Sequence, residues 1–147
     1  MNSAQFAIVG AILGQLQVDP PMAGGRIYRS RMRPISVDQS SAVVVRVERS
    51  TSTLAEIIGG PTTWATLVNV ECYARATGSE PDAGADALLV DVFDRLALAP
   101  TLGGTAMSFE PLQGDTLSWE VDELDSKIAC ITAKFVVKHQ TKGRTLT

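Results

Sequence analysis

The amino-acid sequence predicts an α+β fold, in which an antiparallel or mixed β-sheet of four to six strands carries two helices packed on one face. Two segments repeat apolar residues at the three-and-four spacing of a helix, and three longer segments alternate apolar and polar residues as strands do. The links between neighbouring segments are short, which favours antiparallel pairing, because parallel strands need a long crossover. At 147 residues the chain is expected to form one domain, residues 1–147, around one core.

The first helix is expected near the N-terminus. Ser3 is a suitable N-cap, and the sequence Asp19-Pro20-Pro21 ends the helix because proline cannot continue it. The predicted buried face consists of Phe6, Val9, Ile12, Leu13 and Leu16. The apolar stretch at residues 6–16 is too short for the ~20 residues that cross a bilayer, so no membrane partner is expected.

An arginine-rich extended segment follows at residues 26–32, before Pro34. Strand alternation would place Arg29, Arg31 and Arg33 on one face. This positive row could bind phosphates or carboxylates, or it could protect an edge strand from aggregation. Both interpretations stay open. A protein that reads nucleic-acid sequence is not expected, because the net charge is −3 and aromatic residues make up only 5% of the chain.

Two strands are predicted at residues 42–49 and 64–76, each with alternating apolar residues. Between them, the connection at residues 54–61 carries the apolar residues Leu54, Ile57 and Ile58. This connection is too hydrophobic for a free loop. We expect it either to bind a partner or to fold under its own sheet.

The second helix is predicted at residues 85–96. Its apolar positions are Ala85, Leu88, Leu89, Val92, Phe93 and Leu96. The positions expected to face water are Asp86, Asp91, Asp94 and Arg95. The acidic side is either an ordinary solvated helix face or a surface that binds a basic neighbour.

Three further strands are predicted in the C-terminal part. Two short ones lie at residues 106–111 and 116–122, with Trp119 as a candidate anchor. The last strand, at residues 127–140, places Lys134 and Lys138 opposite its apolar face. The tail at residues 141–147 is expected to be mobile.

No catalytic or cofactor-binding set assembles from the sequence, so no enzyme activity, cofactor or metal is expected. The phosphate-binding patterns GxGxxG and GxxxxGK[ST] do not occur. Cys72 and Cys130 lie in strand-like runs and are expected to be buried free thiols. His139, the only histidine, lies beside Lys138 and is expected on the surface.

Charge is unevenly distributed along the chain. Residues 1–50 hold six arginines and three acids, for a net charge of +3. Residues 51–126 hold thirteen acids and two arginines, for −11, and residues 127–147 hold five basic residues and no acid, for +5. Such an arrangement suits a subunit that binds oppositely charged neighbours. The alternative is that the charges intermingle once the chain folds.

The order of elements is distinctive. An N-terminal helix leads to Arg26-Ile27-Tyr28, a strand pair, the run WATLVNVECYAR at residues 64–75, a helix, Leu102-Gly103-Gly104 and a closing strand. This layout, over most of the chain, resembles the tail terminator family of long-tailed bacteriophages, the minor tail protein U type.

The resemblance implies a structural virion protein, assembled in the host cytoplasm, without catalytic residues or cofactor. It implies a hexameric ring of this chain on the last ring of tail-tube protein, where it ends tube growth and offers the surface for the head-tail connector. DNA would pass through the lumen without being read. Other neck or head-completion proteins are the alternative within this class. A small α+β ligand-binding module or enzyme is the alternative of a different class.

Overall fold

The computed structural model describes residues 1–30, 39–53, 57–76, 80, 82–121 and 127–147. Two α-helices, one short 3₁₀ helix and six strands lie in these ranges. In chain order they are α1 (Ala4–Leu16), the 3₁₀ helix (Met22–Gly25), β1 (Ile27–Arg29), β2 (Ser41–Thr53), β3 (Thr62–Arg75), α2 (Ala83–Ala97), β4 (Ser108–Pro111), β5 (Leu117–Val121) and β6 (Ile128–Thr141).

The six strands form one mixed sheet, in the order β1-β2-β3-β6-β4, with β5 also paired to β6. Only β1 and β2 run parallel; every other pair is antiparallel. Strands β4 and β5 lie end to end along the same side of β6, opposite its two halves. The predicted α+β class, with a mixed sheet and two helices, is confirmed.

The long central strands β2, β3 and β6 form the centre of the sheet. Strands β3 and β6 pair without interruption from Thr62 opposite Thr141 to Arg75 opposite Ile128. Alternate residues of all three strands enter the core, and the core residues of β3 are Val68, Val70, Cys72 and Ala74. The period of two that predicted these strands therefore reflects one sheet face covered by helices.

Both helices contribute to that single core. Helix α1 packs near β1 and β2, and α2 packs near β3 and β6. The Oγ of Ser3 accepts a hydrogen bond from the Phe6 amide, as expected of an N-cap. The predicted buried face of α1 included Phe6, which is 44% exposed, and it left out Ile8, which is buried. No helix in the described ranges is long and apolar enough to cross a membrane.

Three further residues lie in places that the sequence did not predict. Trp119 is 57% exposed, so it does not anchor the core. His139 is only 2% exposed, because it lies on the helix-covered face of β6. The Arg95 side chain is 14% exposed, because it turns back toward the end of α1 instead of facing water.

Cys72 and Cys130 are buried free thiols, as predicted. Burial raises the pKa of Cys72 to about 12 and that of Cys130 to about 11. The mobility of residues 141–147 stays a prediction. In the structure the Leu146 carbonyl accepts a hydrogen bond from the Ala4 amide, so the two ends of the chain lie together.

Candidate interaction surfaces

The described part of the β2–β3 connection, residues 57–61, forms an exposed tip at one end of the sheet. We call it the hairpin tip. Ile57 is 74% exposed and Ile58 is fully exposed. The Gly60 amide donates to the Ile57 carbonyl, and Gly59 has a φ of 81°, a conformation that closes this turn without the strain a side chain would add. Leu54, the third apolar residue of the predicted docking segment, lies outside the described residues.

Basic residues surround the same end of the sheet. Thr62, just after the tip, donates a hydrogen bond from Oγ1 to the Gly143 carbonyl. Gly143 lies between Lys142 and Arg144, and both of these basic residues are exposed. Lys138 is also exposed and pairs with Ala65 on the adjoining part of β3. The tip end therefore combines two exposed isoleucines with exposed positive charge.

A cavity of about 220 Å³ lies at the other end of the sheet, on the outer strand β5. We call it the edge pocket. It is lined by Asp82, Trp119, Glu120, Val121, Ala129 and Cys130. Trp119 and Val121 are both more than half exposed, and the carboxylates of Asp82 and Glu120 belong to exposed residues. Sequence analysis did not predict this pocket, because the strand pattern around Trp119 fits a core residue equally well.

The acidic residues of α2 differ in their exposure to solvent. Asp86 and Asp94 are exposed. Asp91 is half-buried and accepts a 3.0 Å hydrogen bond from Nε of Arg95 one turn later. Asp86 lies in the first turn of α2, where the helix dipole favours a carboxylate. Two of the three predicted acidic residues are therefore free to meet a basic neighbour.

Arg95 joins the two helices, a role that sequence analysis missed. Its guanidinium donates to the carbonyl of Leu16, the last residue of α1, and to those of Val18 and Pro20 just after it. The amide of Gln15 in turn donates to the Arg95 carbonyl. These bonds satisfy carbonyls that the end of a helix leaves without partners. No local pattern could reveal this, because the partners are more than seventy residues apart.

Arg29, the one described member of the predicted arginine row, is held against α1. Its guanidinium lies 3.6 Å from the centroid of the Phe6 ring and donates to the Phe6 carbonyl at 3.1 Å. Partial burial lowers the pKa of Arg29. These two contacts tie the Arg29 side chain to α1 of its own chain. Arg31 and Arg33 lie outside the described residues, so the row itself stays a prediction.

The sheet face away from the helices carries ion pairs between different segments of the chain. Arg46 of β2 lies 2.5 Å from Glu71 of β3. Lys134 of β6 lies 2.8 Å from Asp115, whose hydrogen bond raises the pKa of the lysine. The basic and acidic segments thus intermingle on this face, whereas Lys138 and the residues near the tip remain exposed.

His139 is enclosed by a chain of polar side chains. Its Nε2 is 2.6 Å from Oγ1 of Thr66, which is 2.7 Å from Oγ of Ser50, and Ser50 accepts from the side chain of Gln5. Burial lowers the pKa of His139, so the ring is neutral at pH 7. The buried imidazole links α1 to the three central strands and is closed to a substrate.

Among the residues that the structure describes, no group of three or more His, Cys, Asp or Glu residues could hold a metal ion. A second cavity, of about 360 Å³, lies between the N-terminal half of α2 and the ends of β2 and β3. Its lining is mostly alanine, serine and glycine, with Arg75, Glu80 and Asp91 as charged groups.

Comparison with solved structures shows that this chain shares its fold with a known protein. No family model matches the chain, and no curated protein matches it. Solved structures do match. A chain from the virion of the native gene transfer agent particle superposes with a TM-score of 0.64 at 17% sequence identity. The match covers 91% of this chain and 95% of the other. At this identity the comparison shows a shared fold.

Proposed function

We propose that this protein is a structural subunit of a phage-type virion that forms a ring, of six copies, at the head-proximal end of the tail tube. The observation that carries the proposal is the shared fold with a gene transfer agent virion chain. The match covers nearly the whole of both chains, so the two chains share the entire fold and not only a common supersecondary motif. One fold can serve several functions, so the fold alone does not determine this role. The surfaces described above are the second support for it.

The surfaces suit a ring. A cyclic assembly needs two different patches on each subunit, one for each neighbour. The hairpin tip and the edge pocket are two such patches at opposite ends of the sheet. The exposed carboxylates Asp86 and Asp94 on α2 and the exposed Lys138 on β6 offer further charged surface for a tail-tube or connector protein.

A structural role also agrees with the state of the nucleophilic and basic side chains. The raised pKa values of Cys72 and Cys130 keep both thiols protonated at neutral pH, and thiolates are the reactive form. His139 is enclosed within the fold. We therefore propose that the protein is not an enzyme and needs no cofactor.

The proposal is tested by locating the chain on particles and removing it. The chain carrying an affinity tag should label one tail end, the end that joins the head. Particles assembled without it should have tubes of uncontrolled length and unattached heads. Tubes of normal length that fail only to join heads would instead indicate a neck or head-completion protein. Label spread over the tube or the capsid would contradict both roles.

A further inference from the structure

We infer that the hairpin tip of one chain binds in the edge pocket of a second copy of the same chain. This inference deepens the proposed ring and rests on it, because it names the contact that joins neighbouring subunits. It depends on three observations, which are the positions of the two surfaces, their apolar residues and the charges around them.

The two surfaces lie too far apart to meet within one molecule. Trp119 pairs with Ile131 of β6, and the base of the tip, Thr62, pairs with Thr141 of the same strand. Ten residues separate Ile131 from Thr141, and at about 3.3 Å each they span about 33 Å. The tip of one chain can therefore fill only the pocket of another chain.

The two surfaces match in shape and polarity. Ile57 and Ile58 project from a turn, whereas Trp119 and Val121 line a concavity. Each surface leaves large apolar side chains in water. Burial of large apolar side chains favours association, and aromatic residues in pockets are frequent centres of binding energy.

The surrounding charges are complementary. Exposed Lys142 and Arg144 lie beside the tip, and exposed Asp82 and Glu120 line the pocket. Opposite charges around an apolar centre guide the approach of two copies and fix their orientation. A tip-to-tip contact would instead bring like charges together. The charges therefore favour head-to-tail contacts, which produce rings when the rotation between subunits closes.

The test uses two variants that each remove one surface. The double variant Ile57→Asp/Ile58→Asp removes the tip, and Trp119→Asp removes the pocket. Each should weaken self-association of the purified chain by about thirtyfold or more, the factor for losing about 2 kcal/mol at an interface centre. Sedimentation up to high micromolar concentration measures the masses. Leu98→Asp is the matched control, because Leu98 is 81% exposed and belongs to neither surface.

Mixing the two variants gives the sharper result. The tip variant keeps an intact pocket and the pocket variant keeps an intact tip, so an equimolar mixture should form a dimer and nothing larger. Circular dichroism should show all variants folded. The inference is overturned if the wild-type chain stays monomeric throughout, if the variants associate like wild type, or if the mixture forms no dimer.

This outcome is separable from the proposed function. If the tip and pocket variants still end tail tubes on particles, the ring role stands and another surface joins the subunits. If the wild-type chain associates through these surfaces but never labels a tail end, the contact stands and the tail role fails.

Discussion

Polar side chains of α1 and α2 tie the helices to each other and to the sheet. Gln15 of α1 donates a hydrogen bond to the Arg95 carbonyl of α2, and the Arg95 guanidinium donates to the Leu16 carbonyl at the end of α1. Gln5 begins the chain of hydrogen bonds that ends at buried His139. Polar groups inside a protein are costly unless they are paired, and pairing of this kind fixes one arrangement of the elements. These residues are therefore expected to influence stability more than their exposed neighbours do.

Replacing Arg95 should destabilise the protein measurably. Arg95→Met keeps the aliphatic stem but removes donors to three carbonyls, and hydrogen bonds from charged groups are each worth about 1.5–3 kcal/mol. Because water can partly replace them at this site, we expect a loss of about 2 kcal/mol in the free energy of unfolding, measured with urea. Asp91→Asn is the control. It removes only the charge of the i, i+4 partner of Arg95, an aspartate whose side chain is 43% exposed, and should cost about 0.5 kcal/mol or less. Equal losses in both variants would contradict the role given to Arg95.

Stability should depend on pH through His139. The unfolded histidine gains a proton as the pH falls through about 6.5, whereas burial lowers the pKa in the folded state. The unfolded state therefore binds more protons in this range, and the free energy of unfolding falls as the pH drops from 7 until the folded pKa is reached. As His139 is the only histidine, His139→Gln should be nearly insensitive to pH in the range above carboxylate titration. An unchanged slope in this variant would show that another group is responsible.

At the level of elements, periodicity predicted the central strands and both helices because one face of each is buried. In β3, for example, the polar residues Asn69 and Glu71 alternate with the core residues Val68, Val70 and Cys72 for that reason. The pattern could not separate an exposed edge residue from a core residue, so Trp119 was misplaced. It also could not show that long-range hydrogen bonds would bury the Arg95 side chain. Ile57 and Ile58 stand out in the sequence as apolar residues of a connection, whereas the edge pocket is formed by three segments that only the fold brings together.

Helix α1 contains a glycine whose replacement should stabilise the fold. A Cβ at Gly14 would meet no atom within 4 Å, and alanine loses less backbone entropy in a helix than glycine does. We expect Gly14→Ala to add about 0.5–1 kcal/mol, seen as a rise of about 2–4 °C in Tm for each kcal/mol. Gly10→Ala is the matched comparison. Its Cβ would lie 3.2 Å from the Arg29 guanidinium, which would have to move, so its gain should be smaller. Equal gains would show that the Arg29 contact imposes no constraint.

At the level of the whole molecule, folding turns the uneven charge of the chain into two kinds of surface. On the open sheet face, Arg46 with Glu71 and Lys134 with Asp115 bring opposite charges together. The chain ends place Lys142 and Arg144 near the hairpin tip, while Asp82 and Glu120 lie at the edge pocket. Opposite charges therefore intermingle on the open sheet face, whereas positive charge remains exposed beside the hairpin tip and negative charge at the edge pocket.

The isolated chain should associate weakly and in a salt-dependent way, and should form a stable ring only on its partner. One apolar tip with a few charges gives modest affinity, whereas a symmetric template presents each subunit with several contacts at high effective concentration. Raising salt should weaken association, because exposed charges are screened.

Glu120→Lys and Arg144→Glu should each weaken association about two- to fivefold, the range for exposed ion pairs. The two changes combined in one chain should restore the attraction between neighbouring subunits. Mass measurements across a salt series, with and without tail-tube ends, test this; a tight dimer insensitive to salt and to both reversals would contradict the head-to-tail ring.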